Sequence, residues 1–314
     1  MAFNLRVAVI VLALVLLALV PPVMTAIEQP FYLELFARIM IFAIAAISLD
    51  LILGYGGMVS FGHAAYLGIG GYAVAVMSYY GIDNGFAQFA VAILGSAAVA
   101  LVIGAISLRT SGVYFIMITL AFCQMLYFLG ISIEEFGGDD GINTNRSEFA
   151  GLIDLQDTTT LYYFIFAFLA VFLYLLYRLV NSRFGMVIRG IQSNERRMKA
   201  LGFPTLRYKL FAFVLAGVIC GIAGVLLANL TQFVTPTIMR WERSGEILIM
   251  VLMGGMGTLF GPVLGAAVFL LLEEYLAGLT MHWMIIFGPF LVILVLFARG
   301  GIYGLIPERN AKNE

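Results

Sequence analysis

The sequence contains little charge and few of the side chains that build catalytic centres. Only 11% of its 314 residues are charged, and it has 2 cysteines and 2 histidines. An ordinary soluble domain carries about a quarter charged residues, so the composition excludes that class. Cys123 and Cys220 both fall inside apolar runs, which is typical of small packing residues and gives no support for a disulfide framework.

Sequence motifs of nucleotide, metal and catalytic sites are also missing. No glycine-rich fingerprint that cradles phosphates occurs, so any energy source must be a partner, an ion or a solute gradient. The His, Cys, Asp and Glu residues lack metal-ligand spacing, and no nucleophile, base and orienting group can be chosen. We therefore expect no catalytic residues, no metal, no cofactor and no nucleic-acid partner, and an intramembrane enzyme is disfavoured.

Apolar residues dominate instead. Hydrophobic side chains make up 62% of the chain, and its mean hydropathy is +1.03, whereas soluble domains are about half apolar. A transmembrane helix needs about 20 predominantly apolar residues. The sequence therefore predicts an all-α polytopic membrane protein, with roughly eight to ten transmembrane helices in one bundle. Residues 1–314 are expected to form a single transmembrane domain.

Apolar runs locate these helices along the chain. They lie near residues 5–26, 33–53, 64–80, 86–108, 112–133, 161–180, 208–230, 247–253, 259–272 and 282–297. The runs at 247–253 and 259–272 are too short to span alone, and either tilted helices or a re-entrant hairpin could hold them; we favour two spans. The first run imitates a secretory signal, but its length and the lack of an A-x-A-like site favour a retained helix.

One segment, residues 181–209, is strongly basic and predicts the orientation. It carries Arg183, Arg189, Arg196, Arg197, Lys199, Arg207 and Lys209. Because positively charged loops remain on the cytoplasmic side of a membrane, we expect a cytoplasmic loop here and both termini on the same side. The region 134–160 then forms an external acidic loop, with Glu134, Glu135, Asp139, Asp140, Glu148, Asp154 and Asp157.

Glycine is abundant, with 34 residues, and it is clustered at 54–62, 68–71, 217–224 and 254–265. Small residues let helix backbones approach closely in lipid, which is the simpler interpretation of these clusters. Alternatively, glycine clusters break helices and expose backbone groups to a passing solute. The sequence Gly56-Gly57-Met58 is repeated at Gly254-Gly255-Met256, which hints at an internal duplication.

Four ordered blocks carry a family resemblance. The run from Leu49 to Tyr66, LDLILGYGGMVSFGHAAY, resembles the signature of the LivM-type permeases of branched-chain amino acid ABC importers. The blocks at 112–122, 137–142 and 194–210 are similar to that family in order and spacing, and the resemblance covers nearly the whole chain from about residue 40.

The resemblance implies a transport subunit without an ATPase site of its own. The partners it implies are a second homologous permease, two cytoplasmic ATP-binding subunits and a periplasmic solute-binding protein, in a bacterial inner membrane. The implied solute is a branched-chain or related amino acid, although similar permeases carry urea or aromatic acids. The main alternative is an ion-coupled secondary transporter of a small polar solute. Such a carrier should place paired ionisable groups in the middle of the membrane, and this chain has few.

Within the resemblance, one set of residues matches the segment that docks on the ATPase: Asn194, Glu195, Arg196, Arg197, Ala200, Leu201 and Gly202. The residues themselves predict a short amphipathic helix that ends at Gly202 and cannot continue through Pro204. The simpler alternative is a solvated basic loop that only sets the topology. The family match and the acidity of the external loop also predict that Gly137, Gly138, Asp139 and Asp140 help to position the binding protein.

Polar side chains inside apolar runs are the remaining candidates, because they are expensive in lipid and usually face the interior of a bundle. The predicted transport path contains Ser60, His63, Tyr66, Thr119 and Gln124. For His63 alone a packing role is the simpler interpretation, since one ring can bind a neighbouring carbonyl. Asp50 lies near the cytoplasmic end of its helix, where capping or pairing would explain it.

Overall fold

Long α-helices carry most of the chain. The structure is a computed structural model that describes residues 5–26, 30–149, 151, 153–280, 282, 285, 287–289, 292 and 300–304. In these residues the helices are α1 Leu5–Ala26, α2 Pro30–Leu53, α3 His63–Tyr79, α4 Gly85–Ser107, α5 Val113–Ser132, α6 Thr158–Val180, α7 Arg183–Ala200, α8 Thr205–Thr231, α9 Trp241–Gly254 and α10 Gly261–Leu279. Helical turns cover Glu134–Phe136, Pro236–Met239 and Gly301–Gly304, and β1 Ile142–Asn143 pairs antiparallel with β2 Phe233–Val234.

Six of the described helices are long and apolar enough to cross a membrane: α2, α4, α5, α6, α8 and α10. This confirms an all-helical membrane chain but not the expected eight to ten spans. Helix α3 has 17 residues and α9 has only 14, because glycine-rich breaks shorten both. The run at 247–253 is therefore part of a short helix, whereas the run at 259–272 belongs to the longer α10. The run at 282–297 falls largely outside the described residues.

The centre of the bundle is built from α2, α3 and α8. In α2, 89% of the apolar window is buried within the chain, compared with 17% in α5. Glycines bring α3 and α8 into backbone contact: a Cβ added at Gly70 would lie 1.8 Å from the carbonyl oxygen of Gly221, and one at Gly224 would lie 2.0 Å from that of Leu67. The close-packing interpretation therefore holds for these glycines, and their faces lie inside the chain, where a partner cannot reach them.

The two glycine-rich breaks meet on one side of the molecule. The first follows α2, and the second separates α9 from α10. A Cβ added at Gly54 would lie 2.3 Å from the amide nitrogen of Gly257, so the two breaks touch through backbone atoms. Gly57, Gly255 and Gly257 have positive φ angles of 66°, 115° and 71°, a conformation that glycine adopts readily. Both repeats of the Gly-Gly-Met sequence thus lie at or beside helix breaks.

The opposite side of the molecule is closed by the loop between α5 and α6. Strand β1 of this loop pairs with β2, which follows α8. The buried guanidinium of Arg146 donates to the carbonyl oxygens of Leu155 and Gln156 at 2.9 and 2.7 Å. The ring of Phe149 packs edge-on against Phe86 at a centroid distance of 5.1 Å. These contacts order the acidic loop and hold it over the ends of α4 and α8.

Because α3 and α8 are in backbone contact, we expect one methyl group added between them to lower the stability of the protein. Gly70→Ala would press a Cβ into the Gly221 carbonyl, and overpacking of this kind lowers the free energy of unfolding by about 1–3 kcal/mol. Thermal unfolding in detergent measures the change. The matched control is Gly95→Ala on α4, where the nearest atom would lie at an ordinary contact distance of 3.5 Å. Equal melting temperatures for the two variants would contradict this packing.

Candidate functional site

A cluster of polar side chains lies in the middle of the bundle, where α3 begins. His63 is the first residue of α3 and is fully buried. Its Nε2 lies 2.9 Å from the hydroxyl of Ser48, and that hydroxyl donates its hydrogen to the carbonyl oxygen of Ala45 at 2.7 Å. Since a hydroxyl has one hydrogen, Nε2 of His63 must be the donor to Ser48. Nδ1 of His63 is then an acceptor, and it has no hydrogen-bond partner in the described residues.

Hydroxyl groups hold the extended stretch that leads from the first break into α3. The hydroxyl of Thr119, on α5, accepts from the amide of Phe61 at 3.2 Å. Ser60 accepts from the amide of Gly62 at 3.2 Å through its own side chain. Both hydroxyls are buried. Ser60 and Thr119 are therefore brought together with His63, as the sequence suggested, and they fix the entry into α3.

Tyr66 joins this cluster, whereas Gln124 stands apart from it. The ring of Tyr66 lies edge-on to that of His63 at 5.8 Å, and its buried hydroxyl has no hydrogen-bond partner in the described part of the chain. Gln124 lies on α5, just past Cys123, and its buried Oε1 is likewise unpaired among the described residues. No hydrogen bond within that part of the chain connects Gln124 to His63 or Thr119. Four of the five predicted path residues thus form one group.

Sequence reasoning missed two members of the cluster. Ser48 binds His63, and the hydroxyl of Ser244 on α9 accepts from the amide of Ala64 at 2.9 Å. Ser48 is a polar residue inside an apolar run, so the rule that selected Ser60 could have found it. Ser244 lies in the polar sequence Trp-Glu-Arg-Ser, where nothing marks it as a mid-membrane group.

A cavity of about 280 Å³ lies between this cluster and helix α7. Its walls come from the first break at 56–59, from the turn at 110–112, from residues 191–195 and from Lys209. Ile116 also lines it, and the carbonyl of Ile116 accepts the hydroxyl hydrogen of Thr119 at 2.9 Å. The cavity therefore reaches from α7 to the residues that hold the beginning of α3.

Helix α7 is interrupted at Asn194, whose φ and ψ angles are −159° and 95°. The side chain of Asn194 accepts from the amide of Arg197 at 3.0 Å, which caps the second part of the helix. This part ends at Ala200, and Gly202 follows with a φ of +85°. A short helix closed by Gly202 and Pro204 is the local structure that the sequence pattern predicted. The docking role of these residues stays a prediction.

The two faces of this short helix differ. Arg196, Arg197 and Ala200 are exposed, and Leu201, the residue at the helix end, is 66% exposed although it is apolar. Met198 points the other way and is buried. An exposed face with cations and one leucine can bind a groove on another protein. Gly202 is exposed beside Leu201, where a Cβ would meet no atom within 4 Å.

Glu195 fastens the short helix to the beginning of α8. Its carboxylate accepts from the hydroxyl of Thr205 at 3.2 Å, pairs with Lys199 at 3.0 Å and forms a close ion pair with Lys209. Burial alone would raise the pKa of Glu195, but hydrogen bonds from Lys209 and Lys199 outweigh it and lower the pKa to about 2. Glu195 is therefore charged at neutral pH. Sequence reasoning selected Glu195 but not its partners Thr205 and Lys209.

The acidic turn at 137–141 presents its carboxylates to solvent. Gly137 and Gly138 have positive φ angles of 87° and 48°, and a Cβ at Gly137 would lie 2.1 Å from the carbonyl oxygen of Gly141. This tight turn leaves Asp139 and Asp140 exposed. Within the described residues, no three His, Cys, Asp or Glu side chains are arranged to hold a metal ion. The turn can therefore act through charge and shape.

The chain resembles known membrane proteins over most of its length. A family model described as "Branched-chain amino acid transport system / permease component" matches residues 31–298. The chain is 27% identical to the high-affinity branched-chain amino acid transport system permease protein LivM of Escherichia coli K12, with 87% of this chain and 70% of that protein covered. The LivH permease protein of the same strain is 23% identical, with 84% and 91% covered.

An archaeal relative gives the same result. The probable branched-chain amino acid transport permease protein LivM of Methanocaldococcus jannaschii is 25% identical, with 86% of this chain and 91% of that protein covered. No solved structure matches the chain.

The ion pairs of Glu195 predict a pH-dependent stability. Because folding lowers the pKa of Glu195 from 4.5 to about 2, its contribution is fully present above pH 4.5 and is lost as the pH falls towards 2. We expect wild type to melt at a higher temperature than Glu195→Gln near neutral pH, and this difference should shrink below about pH 4.5. Thermal unfolding in detergent across pH measures it, with Glu134→Gln, at an exposed acid, as the control. A difference that is independent of pH would contradict the assignment.

Proposed function

Because the chain belongs to the family of permease components of branched-chain amino acid transport systems, we propose that it carries branched-chain or related amino acids inward through a bacterial inner membrane. It works by alternating access, and separate ATP-binding subunits on the cytoplasmic side supply the energy. A periplasmic binding protein delivers the solute, and a second, homologous permease completes the membrane domain. Both termini lie in the cytoplasm, since the basic segment at 181–209 fixes that side.

The observation that carries this proposal is the geometry of the short helix after Asn194. Its beginning is fixed by the Asn194 cap and by the attachment of Glu195 to Thr205 and Lys209 of α8. Its free face carries Arg196, Arg197, Ala200, Leu201 and Gly202. A partner that binds this face can therefore displace α8 and change the shape of the cavity beside it. A loop that only set the topology would need neither a cap nor an ion pair with α8.

The transport path runs through the mid-membrane cluster. A buried polar group without a partner costs about 1–3 kcal/mol, and the cluster retains such groups at His63 Nδ1 and at the Tyr66 hydroxyl. These groups, with Ser60 and Thr119 beside them, are available to the ammonium and carboxylate of a passing amino acid. The cavity below them is the route towards the cytoplasm.

The second permease binds at the open face of α5. Tyr114, Met117 and Phe128 are 76%, 57% and 61% exposed on this helix. Gln124 lies on the same helix, and its buried side-chain oxygen is unpaired among the described residues. Similarity to both LivM and LivH of one strain supports a pair of related permeases. In this arrangement Gln124 reaches the path from the interface.

Two substitutions in the short helix test energy coupling. Glu195→Ala removes the anchor on α8, and Gly202→Pro is incompatible with a φ of +85°. Both variants should insert normally, but ATP hydrolysis stimulated by leucine-loaded binding protein and leucine uptake should fall together, by about fivefold or more. The measurement uses the reconstituted complex with its ATP-binding subunits.

Arg207→Ala, at a neighbouring exposed cation, is the control and should retain both activities. If Glu195→Ala and Gly202→Pro keep full stimulation and full uptake, the segment is only a topology determinant and the proposed mechanism is wrong.

A charge reversal tests the external turn. Asp139→Lys with Asp140→Lys should slow association of the leucine-loaded binding protein by about tenfold or more at low salt, because complementary charge steers encounter. High salt should reduce the difference between wild type and variant. Stopped-flow fluorescence with a labelled binding protein measures the rate. Glu148→Lys with Asp154→Lys, two exposed acids of the same loop, is the matched control. Equal slowing by both pairs would show that only net charge matters.

A further inference from the structure

The end of α2 is in contact with both α7 and the second helix break. Asp50, in the last turn of α2, is only 2% exposed. Its Oδ1 accepts a hydrogen bond from the backbone amide of Gly257 at 2.9 Å. Gly257 lies in the break between α9 and α10, 207 residues further along the chain. The carboxylate thus joins the end of one helix to the break between two others.

Gly54 makes the other contacts that connect the end of α2 to α7 and to the second break. Its carbonyl oxygen accepts from the side-chain amide of Gln192 on α7 at 2.9 Å. Its own amide donates to the carbonyl of Asp50 at 2.8 Å. A Cβ on Gly54 would lie 2.1 Å from Asp50 Oδ1 and 2.3 Å from the amide nitrogen of Gly257. No side chain can therefore stand between α2 and the second break at this point.

The contacts form a continuous connection across three parts of the chain. It begins at Gln192, two residues before the interruption of α7 at Asn194. It passes through Gly54 and Asp50 at the end of α2 and reaches Gly257 beside α10. Each link is a hydrogen bond or a direct backbone contact. A displacement of the first part of α7 must therefore move the first break and strain its bond to the second.

We propose that Asp50 and Gly54 are positioning residues of energy coupling, which make the two helix breaks move together when a partner displaces α7. This inference rests on the proposed function, because it needs an ATP-binding subunit that acts on α7. Gln192 passes the displacement to Gly54, and the Asp50 carboxylate passes it to Gly257. If either hydrogen bond is lost, a movement of α7 is no longer transmitted to the second break. The complex then hydrolyses ATP with less transport per cycle.

Asp50 acts through its hydrogen bond with the Gly257 amide and not through its charge. Asp50→Leu has a similar size but no acceptor for the Gly257 amide. Asp50→Asn keeps a side-chain oxygen that can accept the same hydrogen bond. In proteoliposomes that contain the complete complex and leucine-loaded binding protein, leucine transported per ATP hydrolysed should fall about fivefold or more for Asp50→Leu. Asp50→Asn should stay within about twofold of wild type.

Gly54→Ala and Gln192→Leu test the other two links. The first forces the breaks apart, and the second removes the donor to the Gly54 carbonyl. Both should lower the transport-to-hydrolysis ratio in the same way as Asp50→Leu. Gly278→Ala is the control, because a Cβ added there would meet no atom within 4 Å. It should leave the ratio unchanged.

A ratio separates coupling from folding, since misassembled complex loses transport and stimulated hydrolysis together. Equal ratios for wild type and Asp50→Leu in assembled complex would overturn the inference, as would an Asp50→Asn ratio as low as that of Asp50→Leu. If Asp50→Leu does not assemble, Gly54→Ala and Gln192→Leu provide the test. Transport-to-hydrolysis ratios equal to that of wild type would then overturn the inference. Failure of the proposed function looks different: the wild-type complex itself would then show no stimulation by loaded binding protein.

Discussion

A helix that breaks inside a membrane exposes amide groups that lipid cannot bind, and the whole fold depends on how these groups are satisfied. Past the first break, the amide of Phe61 donates to Thr119 on α5, and the amide of Ala64 donates to Ser244 on α9. Helices from separate parts of the chain must therefore meet where α3 begins. The mid-membrane cluster and the cavity below it follow from this requirement. The polar groups that support the backbone are also those of the proposed transport path.

Among the described residues, no Asp, Glu, Lys or Arg side chain forms a hydrogen bond with the cluster around His63, which consists of an imidazole, hydroxyls and an aromatic ring. Glu195 and Lys209 form their ion pair beside the cavity next to α7, and Asp139 and Asp140 face solvent at the other end of the molecule. An ion-coupled carrier needs ionisable groups that bind and release its ion at membrane depth. The arrangement here suits a chain whose energy arrives through contacts with other proteins.

Hydropathy located the six long apolar helices among the described residues, since their length and apolar content are local properties. The run at 86–108, for example, is α4 Gly85–Ser107, and the end of the short helix at Gly202 followed from backbone preference. The contacts of the candidate site were less predictable. Asp50 binds an amide 207 residues away, and Ser244 supports α3 from a polar stretch of sequence. A local pattern shows which residues are apolar or break a helix, but not which distant backbone group each one satisfies.

The glycine contacts between α3 and α8 have a mechanical consequence. Gly70 lies against the Gly221 carbonyl, and Gly224 lies against that of Leu67, with no side chain between the backbones. At these points the two helices cannot adjust by small changes of rotamer, because no side chain lies between the backbones. They should therefore behave as one rigid body. Relative motion is left to the less tightly packed α5 and to the contact between the two breaks, so this permease has a rigid part and a part that can move.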